Sequence, residues 1–144
     1  MYKIKLVDNN NDKEIIDFEN RRLKDFGVYE EINAVNDSAF GNFIKTGNSL
    51  AFNCLNEENK IVGGMLVSTM FGDVYLDRLF VDYKSRGKGA GKFMVNYLLD
   101  NQDFFNDYFG CDSDVLLVEP TDKTIDFYGD LGFNFSGYQM YKRY

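Results

Sequence analysis

The chain has 144 residues, of which 44% are hydrophobic, and it carries a formal net charge of −7. This length and composition predict one globular domain over residues 1–144. The sequence contains no histidine, which excludes Ser-His, Cys-His and His-metal catalysis and leaves carboxylates, tyrosine, lysine or water to move protons. The acidic balance disfavours nucleic acid as a partner, because phosphate contacts need clustered cations, and it suits a cationic substrate.

Neither a membrane span nor a signal peptide is predicted. The apolar run from Ile61 to Met70 is interrupted by glycine and serine and is too short to cross a bilayer. The first seven residues alternate charged and apolar side chains, unlike a signal peptide. We therefore expect a cytoplasmic protein with no membrane partner. Cys54 and Cys111 lack the spacing of a metal site, so we expect no metal and two unpaired structural thiols.

The first third of the chain predicts one strand followed by two helices. Residues 2–7 alternate like a strand. Asn11 and Glu14, three residues apart, form a capping pair that opens a helix, and Gly27 closes it. A second helix is predicted over residues 33–44, where apolar residues recur at helical spacing.

The rest of the chain predicts an antiparallel meander and then alternating helices and strands. The order β-αα-βββ-α-β-α-ββ describes a single α/β domain with about seven strands and about four helices. The predicted strands are residues 49–55, 60–70, 73–81, 114–118, 133–138 and 139–144, and the predicted helices are residues 89–99 and 122–131.

A glycine-rich loop between the strand at 73–81 and the helix at 89–99 is the most informative segment. Glycines let a backbone approach a ligand closely, and the free N–H groups at a helix start bind phosphate. Basic residues surround the loop, although the segment from residue 100 to 130 is strongly acidic. The basic residues are Lys84, Arg86, Lys88 and Lys92.

Two common phosphate-binding motifs do not match this loop. A Walker A motif needs glycine where Arg86 stands and serine or threonine where Phe93 stands. A dinucleotide fingerprint that starts at Gly87 needs glycine or alanine where Lys92 stands.

The pattern Arg/Gln-x-x-Gly-x-Gly/Ala is met by residues 86–91 and resembles the GNAT superfamily of N-acetyltransferases. The resemblance extends over nearly the whole chain. Leu79-Phe80-Val81 is similar to the strand before the family's pyrophosphate loop, and residues 127–133 are similar to its second signature. The resemblance implies a GNAT-like domain with a central mixed, largely antiparallel sheet, which we expect to open after Val81.

The resemblance also implies acetyl-CoA (coenzyme A) as cosubstrate. Backbone groups of Leu79 and Val81 would pair with pantetheine, and the amides of residues 86–91 would hold the pyrophosphate. Thr121 stands where the family often has asparagine, so it would either contact pantetheine or cap the last helix. The implied cofactor-binding residues are Leu79, Phe80, Val81, Arg86, Gly87, Lys88, Gly89, Ala90, Gly91 and Thr121.

Two residues are implied in catalysis. Tyr128 would protonate the leaving thiolate, since a phenol with a pKa of about 10 stays protonated beside a thiol of about 8.5; otherwise it is a core aromatic. Many relatives carry a glutamate base where this chain has Tyr75. Asp77, two residues on and on the same strand face, would replace it. Asp77 could instead pair with Arg78, and water alone could be the base.

The acceptor implied by the resemblance is the primary amine of a small molecule, a peptide or a protein, cationic in its resting form and attacked directly in a ternary complex. It would lie between the first two helices, the Gly72 turn and the final hairpin, where Glu30, Glu31 and Asp37 could attract it. A monomer and a homodimer both remain open. The alternatives are a non-catalytic acyl-CoA-binding regulatory module and a nucleotide-binding enzyme.

Overall fold

The structure is a computed structural model that describes residues 1–136 and 139–144. Within these residues, seven strands form one sheet in the order β1-β2-β3-β4-β5-β7-β6, and the β4–β5 pair is the one parallel pair among them. The strands are β1 (Lys3–Leu6), β2 (Leu50–Leu55), β3 (Ile61–Met70), β4 (Asp73–Val81), β5 (Val115–Val118), β6 (Asn134–Ser136) and β7 (Gln139–Arg143). The α-helices in the described residues are α1 (Asp12–Asp25), α2 (Ala39–Thr46), α3 (Ala90–Asp100), α4 (Gln102–Phe109) and α5 (Ile125–Asp130).

The predicted α/β class, the seven strands and the mixed, largely antiparallel sheet are confirmed. The capping pair is confirmed as well, because the Asn11 side chain accepts a hydrogen bond from the Glu14 amide at 3.2 Å and α1 begins directly afterwards. The predicted continuation of the sixth strand through Gly137 and Tyr138 lies outside the described residues.

The helices differ from the prediction in three places. The segment predicted as one helix over 33–44 is broken at Ser38, where the backbone is extended. The Ser38 hydroxyl caps α2 by accepting a hydrogen bond from the Gly41 amide. The last helix begins at Ile125 and not at residue 122. Helix α4 was not predicted, so the described residues hold five α-helices where about four were expected.

Buried side chains form two clusters on opposite faces of the sheet, because neighbouring strand residues point to opposite sides. Met65 and Val67 of β3 belong to the larger cluster, which α3, α4 and α5 cover. Leu66, between them, belongs to the smaller cluster under α1 and α2. None of the helices in residues 1–136 and 139–144 combines the length and apolar character needed to cross a membrane.

The sheet divides between β4 and β5. The two strands pair only from Val74 to Leu76, opposite Leu116 to Val118. We expected the opening after Val81, and it begins at Asp77 instead. Two features explain the earlier opening: β4 has a bulge that leaves Asp77 without a partner on β3, and Pro120 follows β5 and cannot donate a ladder hydrogen bond.

The turn between β3 and β4 has an unusual residue at its tip. Phe71 adopts a left-handed backbone conformation with φ of 55°, and its side chain is 86% exposed. Gly72 follows with φ of 80°. Two-residue hairpin turns with two positive φ angles favour Asn-Gly, so phenylalanine is strained at this position and gains little burial in return.

Candidate active site

The second half of β4, from Asp77 to Val81, has an open backbone edge. The Asp82 amide donates to the Val62 carbonyl at 2.8 Å. Because hydrogen-bonded and non-hydrogen-bonded pairs alternate in an antiparallel ladder, Phe80 also faces β3, whereas Leu79 and Val81 direct their backbone groups away from it. These are the two residues predicted to pair with an extended ligand arm.

The loop after β4 presents unpaired amides to this open edge. In the part of the chain that the structure describes, the backbone amides of residues 87–91 donate to no protein acceptor. Gly87 and Gly89 have φ of 77° and 91°, and a Cβ atom on either would meet nothing within 4 Å. Free amides beside open space at the start of α3 fit a phosphate group, and the exposed lysines of the loop add positive charge.

Arg86 connects the loop to the rest of the protein. Its Nε donates to the Val81 carbonyl at 3.0 Å, and its Nη2 donates to Asp25 at the end of α1 at 2.8 Å. Its backbone amide bonds to the Tyr83 carbonyl at 3.4 Å. Arg86 therefore holds the loop in place, and the amides left for a ligand start at Gly87.

A second connection fixes the other side of the loop. The Tyr2 hydroxyl donates to the Lys88 carbonyl at 2.9 Å. The Tyr2 ring also packs on Phe93 of α3, with 5.7 Å between ring centroids. Tyr2, the residue before β1, thus supports the loop through both its hydroxyl and its ring.

Helix α5 packs closely against the start of α3. A Cβ atom on Gly91 would lie 3.2 Å from the Phe127 ring, so glycine permits this close approach. Tyr128, next in the chain, is buried and packs edge-on against Phe127 and Phe133. The glycine at position 91 therefore places the helix that carries Tyr128 beside the loop.

The Tyr128 hydroxyl is set up to stay protonated. Burial raises its pKa, and nearby Tyr75 raises the pKa further. Tyr75 itself is buried, and burial together with the charges of Asp77 and Glu119 raises its pKa. Tyr128 is thus a core aromatic whose phenol stays neutral, and it is coupled electrostatically to Tyr75 of the paired part of β4.

Asp77 lies at the bulge, with its side chain 15% exposed. Its carboxylate pairs with Arg78 at 2.9 Å, which was one of the alternatives left open by the sequence. Burial raises the Asp77 pKa, although Arg78 and Arg22 oppose the shift. The Arg78 guanidinium also lies over the Phe40 ring, 5.4 Å from its centroid.

The other predicted residues lie at the edges of this region. Thr121 is in the turn before α5, where its carbonyl accepts from the amides of Thr124 and Ile125, so it supports the helix start through its backbone. Asp37 accepts from the Asn33 and Ala34 amides and is occupied in a turn. Glu30 and Glu31 are exposed.

Glu119 and Gln139 were not singled out in the sequence. Glu119 follows β5 directly, and Gln139 of β7 donates to its Oε1 at 3.2 Å. Gln139 also lies 2.9 Å from the sulfur of Met70. The sequence signal that could have drawn attention to Glu119 was its position at the carboxyl end of a parallel strand, where ligands bind in open α/β sheets.

Comparisons with known proteins show the family and the fold. The sequence model of the acetyltransferase (GNAT) family matches residues 15–133, whereas no curated protein matches significantly. A GNAT-family acetyltransferase structure from Staphylococcus aureus Mu50 has a TM-score of 0.65 and 16% identity, and covers 99% of both chains.

Two further structures have the same fold at low identity. The AtaTR structure bound with AcCoA has a TM-score of 0.68 and 17% identity, covering 99% of this chain and 92% of that one. AtaT complexed with acetyl-methionyl-tRNAfMet has a TM-score of 0.68 and 16% identity, covering 99% and 95%. Since the family match spans most of the residues and the fold agrees with it, the chain belongs to the acetyltransferase (GNAT) family and is an acyltransferase.

Proposed function

We propose that residues 1–144 form one N-acetyltransferase domain that transfers the acetyl (acyl) group of acetyl-CoA to a primary amine of a small molecule or peptide. One observation carries the proposal: the unpaired amides of residues 87–91 adjoin the open backbone edge of Leu79 and Val81. Amides at a helix start suit a pyrophosphate, and an open strand edge suits an amide-containing pantetheine arm.

The open edge and the free amides form two binding regions, one for the pantetheine arm and one for the pyrophosphate of the cosubstrate. The Val81 carbonyl already accepts from Arg86, so the remaining outward groups are the Val81 amide and both backbone groups of Leu79. Gly87, Lys88, Gly89, Ala90 and Gly91 hold the pyrophosphate through their amides, whereas Arg86 organises the loop. Phe80 supports the strand by packing into the core under α1, and Thr121 stabilises the turn before α5.

Direct transfer in a ternary complex needs a neutral amine, stabilisation of the tetrahedral oxyanion and a proton for the departing thiolate. Tyr128 supplies that proton, because its phenol is protonated near neutral pH. Asp77 at the bulge is one group that can receive a proton from the amine, and its raised pKa makes it a better base than an exposed aspartate.

The acceptor is best described as a cationic amine. The net charge of −7 favours a cationic acceptor over a nucleic acid. An aminoacyl-tRNA is a second candidate, since AtaT is bound to acetyl-methionyl-tRNAfMet in a similar structure. The acidic balance disfavours that acceptor here. A protein of this kind acts in the cytoplasm, where acetyl-CoA is available.

The test has two stages. Calorimetry with coenzyme A, ATP and NAD examines the cofactor, and binding of coenzyme A alone is expected. Thiol release from acetyl-CoA is then followed with a pool of polyamines, amino acids, peptides and aminoacyl-tRNA. Coenzyme A binding without turnover in any pool would favour the non-catalytic regulatory module, and binding of ATP or NAD in its place would favour a nucleotide-dependent enzyme.

A further inference from the structure

Two carboxylates flank the point where β4 and β5 separate. Leu76 and Val118 form the last pair of the parallel ladder, so Asp77 and Glu119 are the first residues beyond it on their strands. Each of the diverging strands therefore carries one carboxylate at the inner end of the open edge of β4.

The two carboxylates differ in how much of their charge is already balanced. Asp77 is half-buried and pairs with Arg78 at 2.9 Å. Glu119 is exposed and receives a hydrogen bond from the neutral amide of Gln139. Within residues 1–136 and 139–144, no cationic side chain lies within 4.0 Å of the Glu119 carboxylate.

Helix α1, which packs on β4, holds a third carboxylate that is already paired. Glu19 of α1 is completely buried and accepts two hydrogen bonds from Arg22, at 2.7 and 2.9 Å, and a third from Ser38. A fully paired carboxylate of this kind is a structural group. Glu119 therefore retains the least compensated negative charge at the division of the sheet.

Tyr75 belongs to the paired part of β4, two residues before Asp77. Burial together with the charges of Asp77 and Glu119 raises the pKa of Tyr75. Tyr75 in turn raises the pKa of buried Tyr128 on α5. Glu119 and Tyr128 are thus both coupled electrostatically to Tyr75, at the end of the parallel ladder.

We propose that Glu119 binds the ammonium group of the acceptor and takes up its proton, which makes an alkylammonium the preferred substrate class. This role rests on the proposed acetyltransferase function. One proton passes from the ammonium to Glu119 and then to solvent. The neutral nitrogen attacks the thioester carbonyl, the C–N bond forms, and the C–S bond breaks when the tetrahedral intermediate collapses.

The remaining proton balance involves Tyr128. The thiolate takes its proton from the Tyr128 phenol. The nitrogen loses a second proton as the amide forms, and water returns that proton to the phenol. Glu119 thus serves the incoming amine and Tyr128 the departing thiol, so loss of the two groups should have different signatures.

Glu119→Gln tests this role, because glutamine can still accept the hydrogen bond from Gln139. The variant is assayed with an alkylamine acceptor and with an aromatic amine that is already neutral at pH 7. We expect kcat/KM to fall by about 10² or more with the alkylamine and by less than about threefold with the aromatic amine. Glu119→Asp should restore part of the lost activity, and coenzyme A affinity should not change.

Glu58→Gln, on the distant β2–β3 turn, is the matched control for the change in net charge and should match wild type with both amines. An equal loss with both amines in Glu119→Gln, an unchanged rate with the alkylamine, or a larger alkylamine-specific loss in Asp77→Asn would overturn the assignment to Glu119. If the wild-type protein binds no coenzyme A, the acetyltransferase proposal itself fails, which is a different result.

Discussion

The two halves of β4 have the same neighbour on one side and differ on the other. From Val74 to Leu76 the strand is paired with both β3 and β5, and its three side chains are buried. From Arg78 to Val81 it is paired with β3 alone, and Asp77 at the bulge is paired with neither strand. Four of these five residues are only partly buried. One strand therefore provides both a sheet centre and an open edge, and a single bulge separates them.

The two halves of β4 are suited to different tasks: the paired half to the stability of the sheet, and the open half to ligand binding. Backbone groups of a central strand are normally paired, because an unpaired buried amide or carbonyl is costly. An edge in the middle of a sheet, next to a loop with free amides, is therefore suited to a ligand. Variants in each half of β4 should therefore separate effects on stability from effects on ligand binding.

The largest effect is expected where a loop amide would meet phosphate. Gly89→Glu places a carboxylate in open space beside the free amides. Losing two or more charge-assisted hydrogen bonds should weaken coenzyme A binding by about 100-fold or more, as measured by calorimetry, with the fold retained. Gly110→Glu is the control for backbone strain, because Gly110 also has a positive φ and open surroundings. Equal affinities in the two variants would remove the loop from the binding site.

Tyr128→Phe should affect chemistry and not binding. The change removes one hydroxyl and keeps the buried ring, so kcat should fall by about 10² to 10⁴ while coenzyme A affinity and thermal stability change little. The deficit should be greatest at high pH, where solvent protonates the thiolate least readily. Tyr97→Phe, which alters a half-buried tyrosine on α3, is the matched control. A kcat within about threefold of wild type, with chemistry rate-limiting, would leave Tyr128 as a packing residue.

Leucine truncations compare the two halves of β4 directly. Leu76 is 2% exposed in the doubly paired half, so Leu76→Ala should lower the free energy of unfolding by about 2–5 kcal/mol. Leu79 is only partly buried in the open half, so Leu79→Ala should cost clearly less. Urea denaturation measures both. Equal losses would mean that the open half contributes as much to the core as the paired half.

The smallest expected effect is a gain in stability at the β3–β4 hairpin turn, which precedes the paired half of β4. Phe71→Asn introduces a residue that tolerates the left-handed conformation, and it should raise the free energy of unfolding by about 0.5–1 kcal/mol. Asn59, with φ of 61°, offers the reverse experiment, since Asn59→Phe should lower stability. Thermal denaturation of both variants checks the pair, and a loss of stability in Phe71→Asn would contradict the strain at this turn.

Local chemistry explains which features could be predicted from the sequence. The alternation of β1, the cap at Asn11 and the glycines of the loop each act within a few residues, so their patterns are visible in the chain. Helix α4 was missed because its buried side consists mainly of Phe105, which is too little for a clear period. The remaining sequence signal for this helix was Gly110, the glycine at its C-cap.

The parts of the site that could not be predicted depend on register between distant strands. The bulge at Asp77 arises from a shift between β3 and β4, and the position of Glu119 beside it depends on the pairing of β4 with β5. Likewise, the contact of Arg86 with Asp25 joins residues 61 positions apart. Such arrangements are set by tertiary packing, and no local pattern in one sequence encodes them.

The two connections that hold the glycine-rich loop have a kinetic consequence. Tyr2 fixes the Lys88 carbonyl and Arg86 joins the loop to α1, so the loop is ordered before its ligand arrives. Association should therefore need no slow loop closure and should proceed at an ordinary bimolecular rate of about 10⁵ to 10⁷ M⁻¹s⁻¹. The amides of residues 87–91 should exchange their hydrogens rapidly in the free protein, and coenzyme A should slow that exchange without changing the shape of the loop.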